Sequence, residues 1–324
     1  MTNRYIVGLL LGLAFGLIMG PVVIYFSKRL KFKQTILHYV DKHAGKSGTP
    51  TMGGVAFIVS AIISSLFIVR GNFTLGIISL ATMFSYGVLG FLDDYIKVRY
   101  KQNEGLRPYQ KIIGQVGIAI IIAVFCYFSP LVGTEIYFFN LVFDIGWFII
   151  PFVIVVFIAT TNSVNLIDGL DGLCAGVSIS YFISFASVIM LSGELGTEMG
   201  NVISIIFVFV GALVAFMLFN VYPAKIFMGD TGSMAIGGFV AITAVFLKNP
   251  FLIPIIGIMY VITAVSDIIQ VFYYKRTKKR VFLMAPIHHH FEKKGASENH
   301  IVFAYIVITA VVGIMTYMVS IYLK

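Results

Sequence analysis

The feature that most constrains this chain is a succession of long apolar runs, at residues 5–26, 55–69, 74–91, 112–128, 145–158, 174–191, 202–221, 234–247, 252–274 and 301–323. A helix needs ~20 apolar residues to cross the hydrocarbon core of a bilayer, because each residue rises only about 1.5 Å. The pattern predicts an all-α, polytopic integral membrane protein of about ten transmembrane helices, three of them from short runs. Composition agrees: 59% of the residues are hydrophobic and 11% charged, too few charges to cover a soluble domain.

Lysine and arginine assign the sides. Cytoplasmic loops collect them, and 19 of the 23 follow odd-numbered runs, at Lys28 to Lys46, Lys97 to Lys111, Lys225 and Lys275 to Lys294. Ten spans then place both termini outside the cytoplasm and concentrate the net charge of +9 on the inner face. Such a rim suits anionic lipid head groups or a phosphorylated substrate, and no nucleic-acid partner is expected. The first run lacks a cleavage-site pattern, so it is expected to remain as a span. Its Gly8, Gly12, Gly16 and Gly20 put four small residues on one helix face, for packing within the bundle or against a second copy. Cys126 and Cys174 fall on opposite sides, so no disulfide is expected.

Chemistry is concentrated where charge meets the ends of these runs. In "GFLDDYIKVRY" the adjacent Asp93 and Asp94 are expensive beside an apolar span, an acid at mid-span costing ~2.5–3.5 kcal/mol. They point to a metal or a basic partner, or else to an ordinary polar helix end. "TTNSVNLIDGLDGLCAG" carries Asn162, Asn165, Asp168 and Asp171 among Gly169, Gly172 and Gly176. Carboxylates three apart share a face if the segment is helical, and glycines admit backbone amides to an anion. "NVYPAKIFMGDTGS" combines Asn220, Lys225, Phe227, Asp230, Thr231 and Ser233, a few hard oxygen ligands of the kind Mg²⁺ prefers.

The run in "MAPIHHHFEKKG" is internal and follows Pro286, which is not where a purification tag sits. Alone it reads as a solvated loop or a transition-metal site. "GKSGTPTMGG" adds Lys46, Thr49 and Thr51, suited to phosphate oxygens. All of these segments fall on the side assigned to the cytoplasm. Together they describe one membrane-embedded domain, 1–324, whose loops at about 27–54, 92–111, 160–174, 221–233 and 275–300 form an inward-facing site for an anionic substrate and a divalent metal.

The stretches "GTPTMGG", "FLDDY", "NLIDGLDGL", "PAKIFMGDTGS" and "PIHHHFE", in this order, resemble the polyprenyl-phosphate N-acetylhexosamine-1-phosphate transferases, in the branch that handles a muramoyl-pentapeptide. The resemblance covers nearly the whole chain. It implies a homodimer in the bacterial cytoplasmic membrane with Mg²⁺ as cofactor. It further implies transfer of phospho-MurNAc-pentapeptide from UDP-MurNAc-pentapeptide to undecaprenyl phosphate with release of UMP, the first membrane step of peptidoglycan synthesis.

Carried over by residue, the resemblance makes Asp230 the direct metal ligand and places Asp93 and Asp94 at the reacting phosphates, Asp93 helping to deprotonate or orient the lipid phosphate. Asp168 and Asp171 fall near the nucleotide, with Asn162, Asn165 and Asn220 as polar neighbours and Phe227 near the uracil. Lys46, Thr51, Lys97 and Lys111 become substrate contacts, and His288, His289 and His290 border the cleft, His289 counting among the catalytic groups. Where the family commonly has Glu in the ninth span, this chain has Thr263, with Asp267 one turn later. The alternatives are a sister enzyme that transfers GlcNAc-1-phosphate and, from another class, an ion-coupled secondary transporter, whose usual inverted repeats are not seen here.

Overall fold

The computed structural model describes residues 2–30, 32, 48–102, 104–191, 193 and 195–323. Its helices are α1 (Thr2–Arg29), α2 (Gly54–Leu66), α3 (Thr74–Tyr100), α4 (Pro108–Phe128), α5 (Ile149–Ile167), α6 (Leu173–Met190), α7 (Thr197–Asn220), α8 (Gly229–Phe246), α9 (Leu252–Ile256), α10 (Ile258–Thr277), α11 (Ile287–Lys293) and α12 (Glu298–Tyr322). Among the described residues, eight helices are long and apolar enough to cross a membrane: α1, α3 to α8 and α12. The chain is an all-α polytopic membrane protein, and every expected span but the ninth coincides with one helix.

Two of the runs are not single long helices. The 13 residues of α2 reach about 20 Å, short of a hydrocarbon core of ~30 Å. This helix is wedged against α1, α7 and α8, with Phe57 and Ala61 fully buried. The ninth run breaks at Gly257 into α9 and α10, where the Tyr260 ring occupies the space a side chain would need.

Helix burial orders the bundle. The apolar window of α8 is 89% buried, whereas those of α1 and α4 are 28% buried. A helix enclosed on all sides belongs at the centre of the bundle and a one-sided helix at its rim. α3 and α5 flank α8, and α1 lies along α7. The glycine stripe of α1 makes that last contact: a side chain at Gly12 would overlap the Val208 carbonyl oxygen, one at Gly16 would overlap Ala215, and Gly211 of α7 sits reciprocally on the Leu9 carbonyl. The stripe is thus consumed inside the bundle, as small residues at a close helix crossing are. Both cysteines are free and buried.

A two-stranded antiparallel hairpin, β1 (Glu135–Phe138) and β2 (Leu141–Asp144), joins α4 to α5. It was not expected from the sequence, where its alternation is masked by almost uniform hydrophobicity. Lys248 holds it to the end of α8 remote from Asp230, accepting at its carbonyl from Tyr137 N at 2.6 Å and pairing with Glu135 at 2.9 Å.

Candidate active site

The site forms because three helices continue beyond the apolar runs. α3 runs on past Phe91 to Tyr100, so Asp93, Asp94 and Lys97 lie on one helix and Asp93 pairs with Lys97 one turn away, as opposite charges at i,i+4 do. α8 starts at Gly229, which places Asp230 and Thr231 in its first turn. Gly229 has φ +69, and the Asp94 carboxylate and Thr51 hydroxyl occupy the place of its missing side chain. Gly90 lets α3 cross α8 closely, since a Cβ there would overlap the Asp230 carbonyl. α5 extends to Ile167 and carries Asn162 and Asn165 on its last turns.

Ligand atoms of Asp93, Asp94 and Asp230 lie within 4.8 Å of one another. Asp93 and Asp94 are buried. Lys97 Nζ sits 2.6 Å from Asp93 Oδ2 and 3.1 Å from Asp230 Oδ2, and Lys111 Nζ sits 3.1 Å from Asp93 Oδ1 and 2.5 Å from Asp230 Oδ2. Three carboxylates against two ammonium groups leave one negative charge in excess, and like charges at this spacing require cations to stay ionised. The donors are all carboxylate oxygens, with no thiol or imidazole among them. That set fits a hard cation such as Mg²⁺ better than a thiophilic metal.

The acids divide the work. Asp94 Oδ1 accepts from Asp230 N at 3.1 Å, and its Oδ2 accepts from Thr231 N at 2.9 Å and Thr231 Oγ1 at 2.7 Å. It therefore satisfies donors at the N-terminus of α8, where an anion is favoured. Asp93 Oδ1 accepts from Leu106 N at 2.8 Å. Asp230 Oδ1 accepts from Asn165 Nδ2 at 3.0 Å, and the same amide donates to Ser233 Oγ at 2.8 Å.

Asp168 follows α5, in the turn leading to α6. Burial and then the charges of Asp230 and Asp94 push its carboxyl well above the usual carboxylate range. Asp171 turns elsewhere, accepting from Ala224 N at 3.0 Å, while its own N–H donates to Glu298 Oε1 at 2.6 Å. The two acids do not share a helical face because the segment is a turn, with Gly172 at φ +80 before α6. Asn220 braces this turn, accepting from Gly172 N at 3.1 Å and donating to Ile226 O at 2.9 Å. Asn162 pairs with Gln115 of α4 at 2.8 Å, one helical turn from Asn165.

The three histidines start α11. His288 is fully buried, and its ring and that of His289 converge on Gly169: a Cβ there would strike His288 Nε2 and lie 3.0 Å from His289 Nε2. Burial, then the neighbouring His289, lowers the His288 imidazole from 6.5 to about 3, so it is neutral at physiological pH. His289 Nδ1 lies 3.1 Å from Glu292 Oε2. His290 instead accepts from Leu283 N at 3.0 Å and fixes the preceding loop. Phe227 is half-buried and bonds through its backbone to Pro50 O and Gly53 N, which holds Thr51 beside Gly229. Lys46 lies outside the described residues.

Sequence reasoning missed Gln115, Glu292 and Glu298. Of these, only Glu292 carried a signal, three residues beyond His289 on a short helix. Thr263 is buried and donates to Met259 O within its own helix at 2.7 Å.

The profile of glycosyl transferase family 4 matches residues 76–248, and signature 1 of phospho-N-acetylmuramoyl-pentapeptide-transferase matches residues 46–58. The chain is 42% identical over 320 residues to phospho-N-acetylmuramoyl-pentapeptide-transferase of Thermoanaerobacter sp. (strain X514), covering 98% of this chain and 99% of that one. It is 44% identical to the protein of the same name from Clostridium botulinum (strain Eklund 17B / Type B), covering 95% and 94%, and 39% identical to that of Clostridium novyi (strain NT), covering 97% and 96%. The chain belongs to the phospho-N-acetylmuramoyl-pentapeptide-transferase family. The glycosyl transferase profile contains the acidic triad, both lysines, Asn165 and Asp168, whereas the histidine helix lies beyond it.

Proposed function

We propose that this protein transfers phospho-MurNAc-pentapeptide from its UDP carrier to undecaprenyl phosphate, giving lipid I and UMP, as a homodimer in the bacterial cytoplasmic membrane with its site facing the cytoplasm. One observation carries the reading: an all-oxygen acidic triad, interleaved with two lysines at the ends of α3, α4 and α8, in a chain of this family. These acids lie in the last turns of α3 and the first turn of α8 rather than at the middle of a helix, which suits surface transfer better than ion-coupled transport.

Asp230 and Asp93 would hold Mg²⁺, which when bound neutralises charge on the pyrophosphate. Asp94 keeps the first turn of α8 in place. Asp93 orients the attacking lipid phosphate or accepts its proton. Lys97 and Lys111, paired with the acids here, are the cations available to phosphate oxygens, with Lys46 and Thr51 from the preceding loop. Asp168, in the turn after α5, lies near the nucleotide. Asn165 orients Asp230, and the Phe227 ring packs on uracil. His289, oriented by Glu292, offers Nε2 to the donor, beside neutral His288. Asn162, Asp171, Asn220 and His290 act one step back, by fixing the segments that carry these groups.

Release of UMP by the purified protein, assayed with undecaprenyl phosphate and Mg²⁺, tests the reading. A kcat/KM for UDP-MurNAc-pentapeptide at least about 10³-fold above that for UDP-GlcNAc is expected, because a site built for additional polar groups is penalised when they are missing. Equal use of UDP-GlcNAc would move the protein to the sister activity. Turnover unaffected by chelation would remove the metal.

A further inference from the structure

The buried residues of α10 are Met259, Tyr260, Thr263 and Ser266, all in its first half. Beyond Ser266 the helix leaves the bundle, exposing Ile268, Val271, Phe272, Tyr273 and Tyr274. An apolar shaft open on several sides is unfavourable in water, at about 25 cal/mol per Å², so it belongs in lipid. Its last turn and the three residues after it carry five exposed cations, Lys275, Arg276, Lys278, Lys279 and Arg280. Among the described residues, no carboxylate lies within 4.0 Å of any of them.

The cations stay close to the shaft. The Arg276 guanidinium lies 4.1 Å from the Phe272 ring centroid, and Lys278 Nζ lies 5.9 Å from that of Tyr274, the juxtaposition of aromatic rings and cations found at membrane interfaces. The elbow that carries them is also fixed. Gln270 Oε1 accepts from Val281 N at 3.1 Å and Phe282 N at 3.0 Å, and Arg280 Nη1 donates to Leu283 O at 3.2 Å.

We propose that this elbow between α10 and α11 is a docking site for the head groups of anionic phospholipids. Their phosphates meet the five cations while their acyl chains lie along Ile268, Val271 and Phe272. Continuity of cation and apolar surface selects a lipid over a soluble phosphate, which has no use for the shaft. The inference rests on the membrane reading and is independent of the transferase reading, because its test uses no nucleotide substrate.

The full chain is purified from mixed phosphatidylcholine and phosphatidylglycerol nanodiscs, and retained lipids are counted by native mass spectrometry. Wild type is compared with K275Q/R276Q/K278Q/K279Q/R280Q. Each Lys or Arg at an anionic surface contributes about a fivefold preference, so wild type should retain phosphatidylglycerol over phosphatidylcholine and the variant should lose most of that excess. If the fivefold variant does not fold, K278Q/K279Q in the elbow should still lower the excess at least tenfold. Equal retention of the two lipids by wild type, or an unchanged excess in a folded variant, would overturn the proposal. Displacement of phosphatidylglycerol by millimolar inorganic phosphate would assign the cations to a soluble anion and overturn it equally.

Discussion

Replacing Asp94 and Asp230 should separate stability from activity. Asp94 accepts from two backbone N–H groups and one hydroxyl at the start of α8 and is 4% exposed. Asp94→Ala strands three donors, each costing about 1–3 kcal/mol when buried and unpaired, and removes an anion from a helix N-terminus, worth about 0.5–1 kcal/mol. Allowing the Thr231 hydroxyl to find another acceptor, the expected loss is about 3–5 kcal/mol. Asp94→Asn keeps one acceptor but points an NH₂ at the remaining donors, for about 2–3 kcal/mol. Asp230 instead accepts only from side chains, those of Lys97, Lys111 and Asn165. Asp230→Asn therefore leaves thermal stability near wild type and lowers kcat about 10²–10³-fold, the usual effect of deleting one electrostatic group at a reacting phosphate. Thermal unfolding in detergent and UMP release, measured on the same preparations, provide the comparison. An Asp94→Asn protein that melts like wild type yet is inactive would refute the capping role. Near-normal turnover of Asp230→Asn would remove that residue from the site.

Three further outcomes follow from the packing. Gly169 has no positive φ, so Gly169→Ala tests the histidine contact rather than backbone strain; it should raise KM for the UDP donor about tenfold, an unchanged KM showing that the turn does not position the histidines. His288 has its imidazole lowered from 6.5 to about 3, so its contribution to stability is complete above pH 6.5 and lost as pH falls toward 3, at about 1.4 kcal/mol per unit. Acidification from pH 6.5 to 5 should thus cost about 2 kcal/mol, and a His288→Asn protein with the same acid sensitivity in thermal melts would contradict this. Gly12→Ala should cost about 1–3 kcal/mol by driving a methyl group into the Val208 carbonyl, and an unaltered melting temperature would show that α1 and α7 can separate freely.

The positions of the spans were legible because bilayer thickness imposes a length on apolar runs. Their ends were not, because an apolar run stops at the first charge whereas helical hydrogen bonding continues. Asp93 and Asp94 end the run after Phe91, yet α3 goes on to Tyr100 because Lys97 answers Asp93 one turn later. The five residues from Gly229 to Ser233 read as a loop for the same reason, although they form the first turn of α8. The acids themselves were visible as charges against apolar helix ends. Their separate duties were not, since what distinguishes Asp94 from Asp93 is which N–H groups face each carboxylate. Asp168 and Asp171 illustrate the opposite limit: their spacing suits a helix face, but the segment is a turn, with Gly172 at φ +80, and Asp171 turns to the Ala224 N–H.

Placing the acids around α8 follows from the membrane setting. A helix enclosed by protein and lipid has no water to satisfy its first N–H groups, so the neighbouring α3 must supply acceptors, and Asp94 does so. A carboxylate committed to that task needs an electrostatic surrounding that tolerates it, and Lys97 and Lys111 provide one through Asp93 and Asp230. The close crossing at Gly90 then fixes Asp93 of α3 relative to Asp230 of α8 with little freedom on either side. The cap at the start of α8 and the pairing of Asp93 with Asp230 through Lys97 and Lys111 are thus one construction. Its rigidity comes from helices rather than from the loops between them, and the proposed transfer, which depends on positioning, would need such rigidity.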